Sequence, residues 1–159
     1  MEEVLPPETA QGAGFEAARL RQFTVFLDNR VGRLQQLVRS YETEGGRIVA
    51  LSIQNAADTA LVRMICAEPE MGREILTREG FSFAEQDVLA VELPRSNQQP
   101  ILTLTIALLV AEINIHYAYP LLLHPKGPVL ALYVDDPVLA AQILVRKGFN
   151  LIAESDFEK

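Results

Sequence analysis

The chain has 159 residues, enough for one ordinary domain or two small ones, and its 49% apolar and 22% charged residues can build a core, which excludes extended disorder. A formal net charge of −7 argues against non-specific attraction to nucleic acid or to anionic lipid, both of which select basic surfaces. Cys66 is the only cysteine, so an internal disulfide and a CxxC metal or redox pair are excluded, and a reducing, cytoplasmic setting is expected.

From the N-terminus, residues 1–20 include MEEVLPPETAQGAG, which lacks the basic-then-apolar order of a signal peptide and reads as a flexible tail. Phe23, Val25 and Leu27 alternate with Gln22, Thr24 and Phe26, a strand pattern; Leu34, Leu37, Val38 and Tyr41 follow the i, i+3, i+4, i+7 spacing of a helix that Gly45-Gly46 ends. Ile48 to Ile53 and Ala60 to Cys66 read as a hairpin around the polar turn at 54–59. Glu68-Pro69 opens a second helix, Gly80 stops it, and Phe81 to Glu85 is a last strand, giving the order βαββαβ.

The remainder repeats this order. Glu68-Pro69, Ile75-Leu76, Arg78 and Gly80-Phe81 recur as Asp136-Pro137, Ile143-Leu144, Arg146 and Gly148-Phe149 at a constant spacing of 68 residues. Leu61 to Cys66 falls on Val129 to Val134 at the same spacing, and Arg47 to Leu51 on Asn114 to Ala118 at 67. The chain is therefore expected to hold two modules, 21–86 and 87–159, joined near Gln86-Asp87. Ile101 to Val110 (ILTLTIALLV) passes locally for a buried strand, but its alignment with the amphipathic Leu34 to Glu44 predicts a helix. That run is about half the ~20 residues of a membrane span, so no membrane partner is expected.

A βαββαβ module packs its helices on one face of an antiparallel sheet. The predicted fold class is accordingly α+β, with two ferredoxin-like βαββαβ modules side by side in an antiparallel sheet carrying its helices on one face. Outer edges and the opposite face then remain available for pairing, from which a homo-oligomer is expected.

With this order present twice and LDNRVGRL at the first strand-to-helix corner, the sequence resembles a tandem ACT domain protein. ACT modules are amino-acid-binding regulatory domains of metabolic enzymes. FTVFLDNRVGRLQQLVRSYETEGGRIVALSI is similar to the family's opening strand, asparagine-x-proline-glycine corner, first helix and second strand, and AEINIHYAY to its glycine-isoleucine-asparagine-isoleucine segment. Val31 replaces the usual proline; the second corner, Pro94 to Pro100, has no glycine. The resemblance implies a small-molecule amino acid as ligand, held between modules, with the corner Asp28, Asn29, Arg30, Val31, Gly32, Arg33 and Leu34 facing Asn114 and Ile115. The chemistry suits that ligand: helix N-terminal amides receive a carboxylate, glycine lets it approach, and the oxygens of Asp28 or Asn29 receive the ammonium. The degenerate corner faces Arg47-Ile48, where a structural salt bridge or another anion replaces the ligand.

The plain alternative is that Asp28 or Asn29 caps a helix and nothing binds. Asp135-Asp136-Pro137 reads as a helix cap, and His116 and His124 lack metal-ligand spacing, so neither metal nor cofactor is expected. Cys66 reads as a buried, inert thiol. Tyr117 and Tyr119 either line a pocket or pack the seam between modules. No catalytic motif is present, and an RNA-binding ferredoxin-like domain needs a basic, aromatic sheet face that this acidic chain lacks. Three functions follow from the resemblance: an amino-acid sensor; a regulatory subunit partnered with an amino-acid biosynthetic enzyme, similar to the small subunit of acetolactate synthase; and an interaction module without ligand.

Overall fold

A computed structural model describes residues 18–28, 30–123 and 127–158. Residues 1–17 of the expected 1–20 tail, Asn29 of the corner, and His124 in its turn lie outside the described residues, whereas Arg19 and Leu20, also expected in the tail, belong to the first strand, with Leu20 buried. The elements run β1 (Arg19–Asp28), α1 (Arg33–Glu42), β2 (Ile48–Ala56), β3 (Thr59–Cys66), α2 (Pro69–Arg78), β4 (Ser82–Glu92), α3 (Pro100–Val110), β5 (Ile115–Pro120), β6 (Val129–Val134), α4 (Pro137–Arg146) and β7 (Asn150–Ile152), followed by a 3-10 turn, Glu154–Phe157. The run Ile101 to Val110 is helical, as its place in the repeat requires.

Among the described residues all strands join one seven-stranded sheet in the order β2-β3-β1-β4-β6-β5, with β7 also on β4. Every pairing is antiparallel. The residues read as a last strand and a next first strand, with a junction near Gln86-Asp87, form a single strand. β4 pairs with β1 through Ser82 to Leu89, and with β6 and β7 through its C-terminal residues. The chain thus passes between modules without leaving the sheet, and β7 lies end to end with β1 along the same side of β4.

Strand alternation assigns the faces. Phe23, Val25 and Leu27 of β1 pack with Leu37 and Tyr41 of α1 and Ile75 and Leu76 of α2. Leu89 and Val91 of β4 pack with Leu104 and Leu108 of α3 and Ala140 and Leu144 of α4. Phe83, at an odd position of the same strand, packs toward the first helical core, so all four helices cover one face of the continuous sheet.

The opposite face is not left open, contrary to the sequence-based expectation. Leu20, Val49, Ala50 and Ile65 of the first module meet Ala90, Tyr119, Leu121, Val129, Ala131 and Ile152 of the second in a third core. The reason is local: register shifts at Ile48/Ala50 in β2 and Ile115/Tyr117 in β5, one repeat apart, bend both edge strands. The sheet curls until Leu122 N donates to Val49 O at 2.7 Å, joining the end of β5 to β2. Among the described residues no helix is long and apolar enough to cross a membrane.

Candidate functional site

The corner after β1 is built on one backbone feature. Gly32, the residue before α1, has φ of 94°, a left-handed conformation that a side chain disfavours. Asp28 does not cap: among the described residues no side chain bonds to the first amides of α1, and Asp28 Oδ2 instead accepts from Arg30 Nη2 at 3.3 Å. Gln36 N starts the helical ladder on Gly32 O at 2.9 Å. The amides of Leu34 and Gln35 therefore meet no described partner and carry the positive end of the helix dipole into an exposed corner.

Arg33 adds a second acceptor-seeking group. Its guanidinium lies over the Phe81 ring at 4.6 Å and Nη1 donates to Gln36 Oε1 at 2.9 Å, whereas Nε is buried without a hydrogen-bond partner. Nε and Nη2 form the guanidinium edge that holds a carboxylate by two parallel hydrogen bonds. The corner opens onto a cleft of about 140 Å³ lined by Leu27, Asp28, Arg30, Arg33 and Leu34, with Ile53, Asn55, Ala60 and Val62 opposite. The facing wall is thus the β2-β3 hairpin of the same module, which sequence reasoning did not single out. Val31 points wholly to solvent.

Asn114 and Ile115 are not in that lining. Asp28 stands opposite Thr59 of β3, and Ile115 opposite Val134 of β6 on the other side of β4. Asn114 is exposed, and its backbone N–H donates to Asp135 Oδ1 at 3.1 Å.

At the equivalent position of the first module, Arg47 makes a structural ion pair. Its backbone N and its Nε donate to Glu68 at 3.0 and 3.1 Å, Tyr41 OH donates to the same carboxylate at 2.8 Å, and Arg47 Nη2 reaches Phe157 O. Desolvation works against the Glu68 charge, but these hydrogen bonds together outweigh it and hold the carboxyl below the usual range. Burial pushes the neighbouring Tyr41 phenol above its ordinary value and the Cys66 thiol up to about 12. The thiol is buried, as expected of an inert cysteine.

Tyr117 and Tyr119 pack the seam. Tyr119 OH donates to Gln22 Oε1 at 2.6 Å, while Gln22 Nε2 donates to Tyr117 OH at 2.7 Å. Thr24 Oγ1 and Tyr117 OH both donate to Gln86 Oε1, and the Arg63 guanidinium lies 3.8 Å over the Tyr117 ring. Gln22 is fully buried. The only sequence signal for this network is the polar side of the β1 alternation, which by itself reads as solvent-facing. Asp136 caps α4 by accepting from Leu139 N at 3.1 Å, as expected, and no cluster of metal-ligating residues occurs among the described residues.

A family model described as an ACT domain pair matches residues 18–159. The chain belongs to this family. Its curled pair of ACT modules is similar in fold to the crystal structure of protein BT0572 from Bacteroides thetaiotaomicron, with TM-score 0.81 and 23% identity over 90% of this chain and 98% of that one. The regulatory subunit of aspartate kinase from Thermus thermophilus, in its ligand-free form, matches with TM-score 0.56 and 8% identity over 82% of this chain and 92% of that one. No curated protein sequence matches. ACT domains are regulatory rather than catalytic, and no catalytic family is indicated.

Proposed function

We propose that this ACT domain pair is an amino-acid sensor whose ligand carboxylate is held at the 28–34 corner. The observation that carries this reading is the convergence there of a helix N-terminus with no side-chain cap among the described residues, a left-handed glycine and an Arg33 Nε without a hydrogen-bond partner, all at one cleft. Leu34 and Gln35 amides and Arg33 bind the carboxylate; Asp28, with Asn29 beside it, receives the ammonium. At about 140 Å³ the cleft is smaller than the ~300 Å³ at the low end of ligand pockets, which suits a small molecule or one wall of a larger site. Residues 21–86 and 87–159 act as the two modules of the sensor.

Isothermal titration of the folded chain with each common amino acid tests the reading. Saturable heat is expected with at least one, and Gly32→Val, which forces a side chain onto φ of 94°, is expected to abolish it while leaving the cores intact. Absence of heat with every amino acid sinks the sensor reading and leaves the ligand-free interaction module. A second reading, a subunit that regulates a separate biosynthetic enzyme of the acetolactate synthase or aspartokinase kind, draws support from the shared fold with a regulatory subunit. It predicts that a catalytic chain co-purifies with this one and changes activity when the amino acid is added.

A further inference from the structure

The two modules differ most on the outside of their first helices. At a spacing of 67 residues, Gln35, Arg39 and Glu42 of α1 correspond to Leu102, Ile106 and Leu109 of α3, and all six side chains are exposed. The buried partners correspond too: Leu37 with Leu104 and Tyr41 with Leu108. The inner face is thus conserved in character between the repeats, while the outer face has changed from polar and charged to aliphatic.

α3 contains no charged residue along Pro100–Val110. A helix apolar all round is normally enclosed on all sides, yet Leu109 is 73% and Val110 80% exposed. With Ile101, Leu102 and Ile106, and with Val138, Leu139 and Val145 of the adjacent α4, each 38–58% exposed, they put eight exposed aliphatic side chains on two neighbouring helices, unlike the singly scattered apolar residues normal on a monomer surface. A groove of about 440 Å³ between α3 and α4, lined by Thr103, Ile106, Ala107, Val110, Ile143 and Arg146, can receive a protruding aliphatic side chain.

We propose that this face is the dimer interface of the chain, with α3 of one copy lying antiparallel on α3 of another across a two-fold axis near Ile106. Two features select a second copy as the occupant. Eight exposed aliphatic side chains on two neighbouring helices can form the apolar centre of a standard interface of ~800 Å² per partner, and the ends of α3 lack charge compensation of their own. α3 has no side-chain cap or acid at its N-terminus and no basic residue in its last turn, whereas α1, α2 and α4 carry Arg39, Arg78 and Arg146 in theirs. An antiparallel copy supplies both missing partners, setting each negative C-terminal end, with Glu112 just beyond it, beside the other helix's positive N-terminus. A two-fold axis makes the arrangement self-complementary and closed.

Sedimentation of the full chain at tens of micromolar is expected to give twice the 17.6 kDa chain mass. Leu109→Glu, which removes no core contact but sets a carboxylate in the apolar interface, is expected to weaken dimerisation by roughly a hundredfold or more and give monomer with an unchanged circular dichroism spectrum. Because Cys66 is buried, Ile106→Cys introduces the only accessible thiol, and a short bismaleimide is expected to link it into a covalent dimer; Arg39→Cys, at the corresponding place on α1, is not expected to link. A monomeric wild type, which would give the face to a different protein, overturns the proposal. So does a dimer that survives Leu109→Glu, or crosslinking through position 39 in preference to 106.

Discussion

Arg47 and Asn114 occupy the same place in the two modules, just before the second strand, and both donate a backbone N–H to an acid that follows the third strand. In the first module that acid is Glu68, the residue before α2, drawn away from capping by a guanidinium and a phenol. In the second, Asp135 takes the backbone N–H and leaves Asp136 free to cap α4. One fold therefore meets the same backbone requirement in two ways. The arginine solution fixes its position in place, whereas the asparagine solution leaves a small, exposed polar side chain. The corners divide similarly: the first keeps a left-handed glycine and an open helix start, and the second puts Asn97 Oδ1 on Gln99 N at 2.8 Å, a self-contained turn.

The largest test of how far the halves depend on each other is Gln22→Ala. It leaves Tyr117, Tyr119 and Gln86 without their common partner between the modules, and a loss of about 1–3 kcal/mol in the urea unfolding free energy is expected. Transitions followed by probes in each module should remain coincident, since both share β4.

Arg47→Asn rewrites the first module with the residue of the second. Its pair with Glu68 is about a third exposed on each side, so solvent screening keeps the expected cost to about 1 kcal/mol. The sign of its pH dependence follows from the carboxyl. Because the folded Glu68 value lies below the ordinary 4.5, the wild-type advantage is fully present above 4.5 and is lost as the pH falls through the lowered value. A difference between the two proteins that instead grows toward acid would break the assignment. The smallest effect is kinetic: Cys66, with its pKa raised to about 12 by burial, is expected to resist thiol reagents at neutral pH until the first module opens. Fast stoichiometric labelling of the native chain would contradict the packing around α1 and α2.

These tests also mark how much was legible beforehand. The element order, the family and the helical state of Ile101 to Val110 were all readable, the last only because a repeat carries more information than local propensity. Gly32 was readable as well, since a glycine at a polar corner before an amphipathic run has few other uses. The curled sheet was not. Gln22 and Thr24 alternate with apolar residues as surface residues do, and nothing local distinguishes a polar face turned to water from one satisfied by tyrosines nearly a hundred residues away. The junction at Gln86-Asp87 was hidden for the same reason. Both residues look like a break, yet Gln86 accepts hydrogen bonds in the seam and Asp87 pairs with Arg19 at 3.1 Å inside an unbroken strand. The separation of Asn114 from the corner depends on how modules dock, which no short-range pattern encodes.

The unbroken β4 limits how the two halves can communicate. Modules joined by a loop can swing about a hinge, but here a swing would tear a backbone ladder that both halves share. A signal that begins at one end reaches the other through β4 as torsion, and also through the shared third core and the Gln22–Tyr119 bond that tie the halves together.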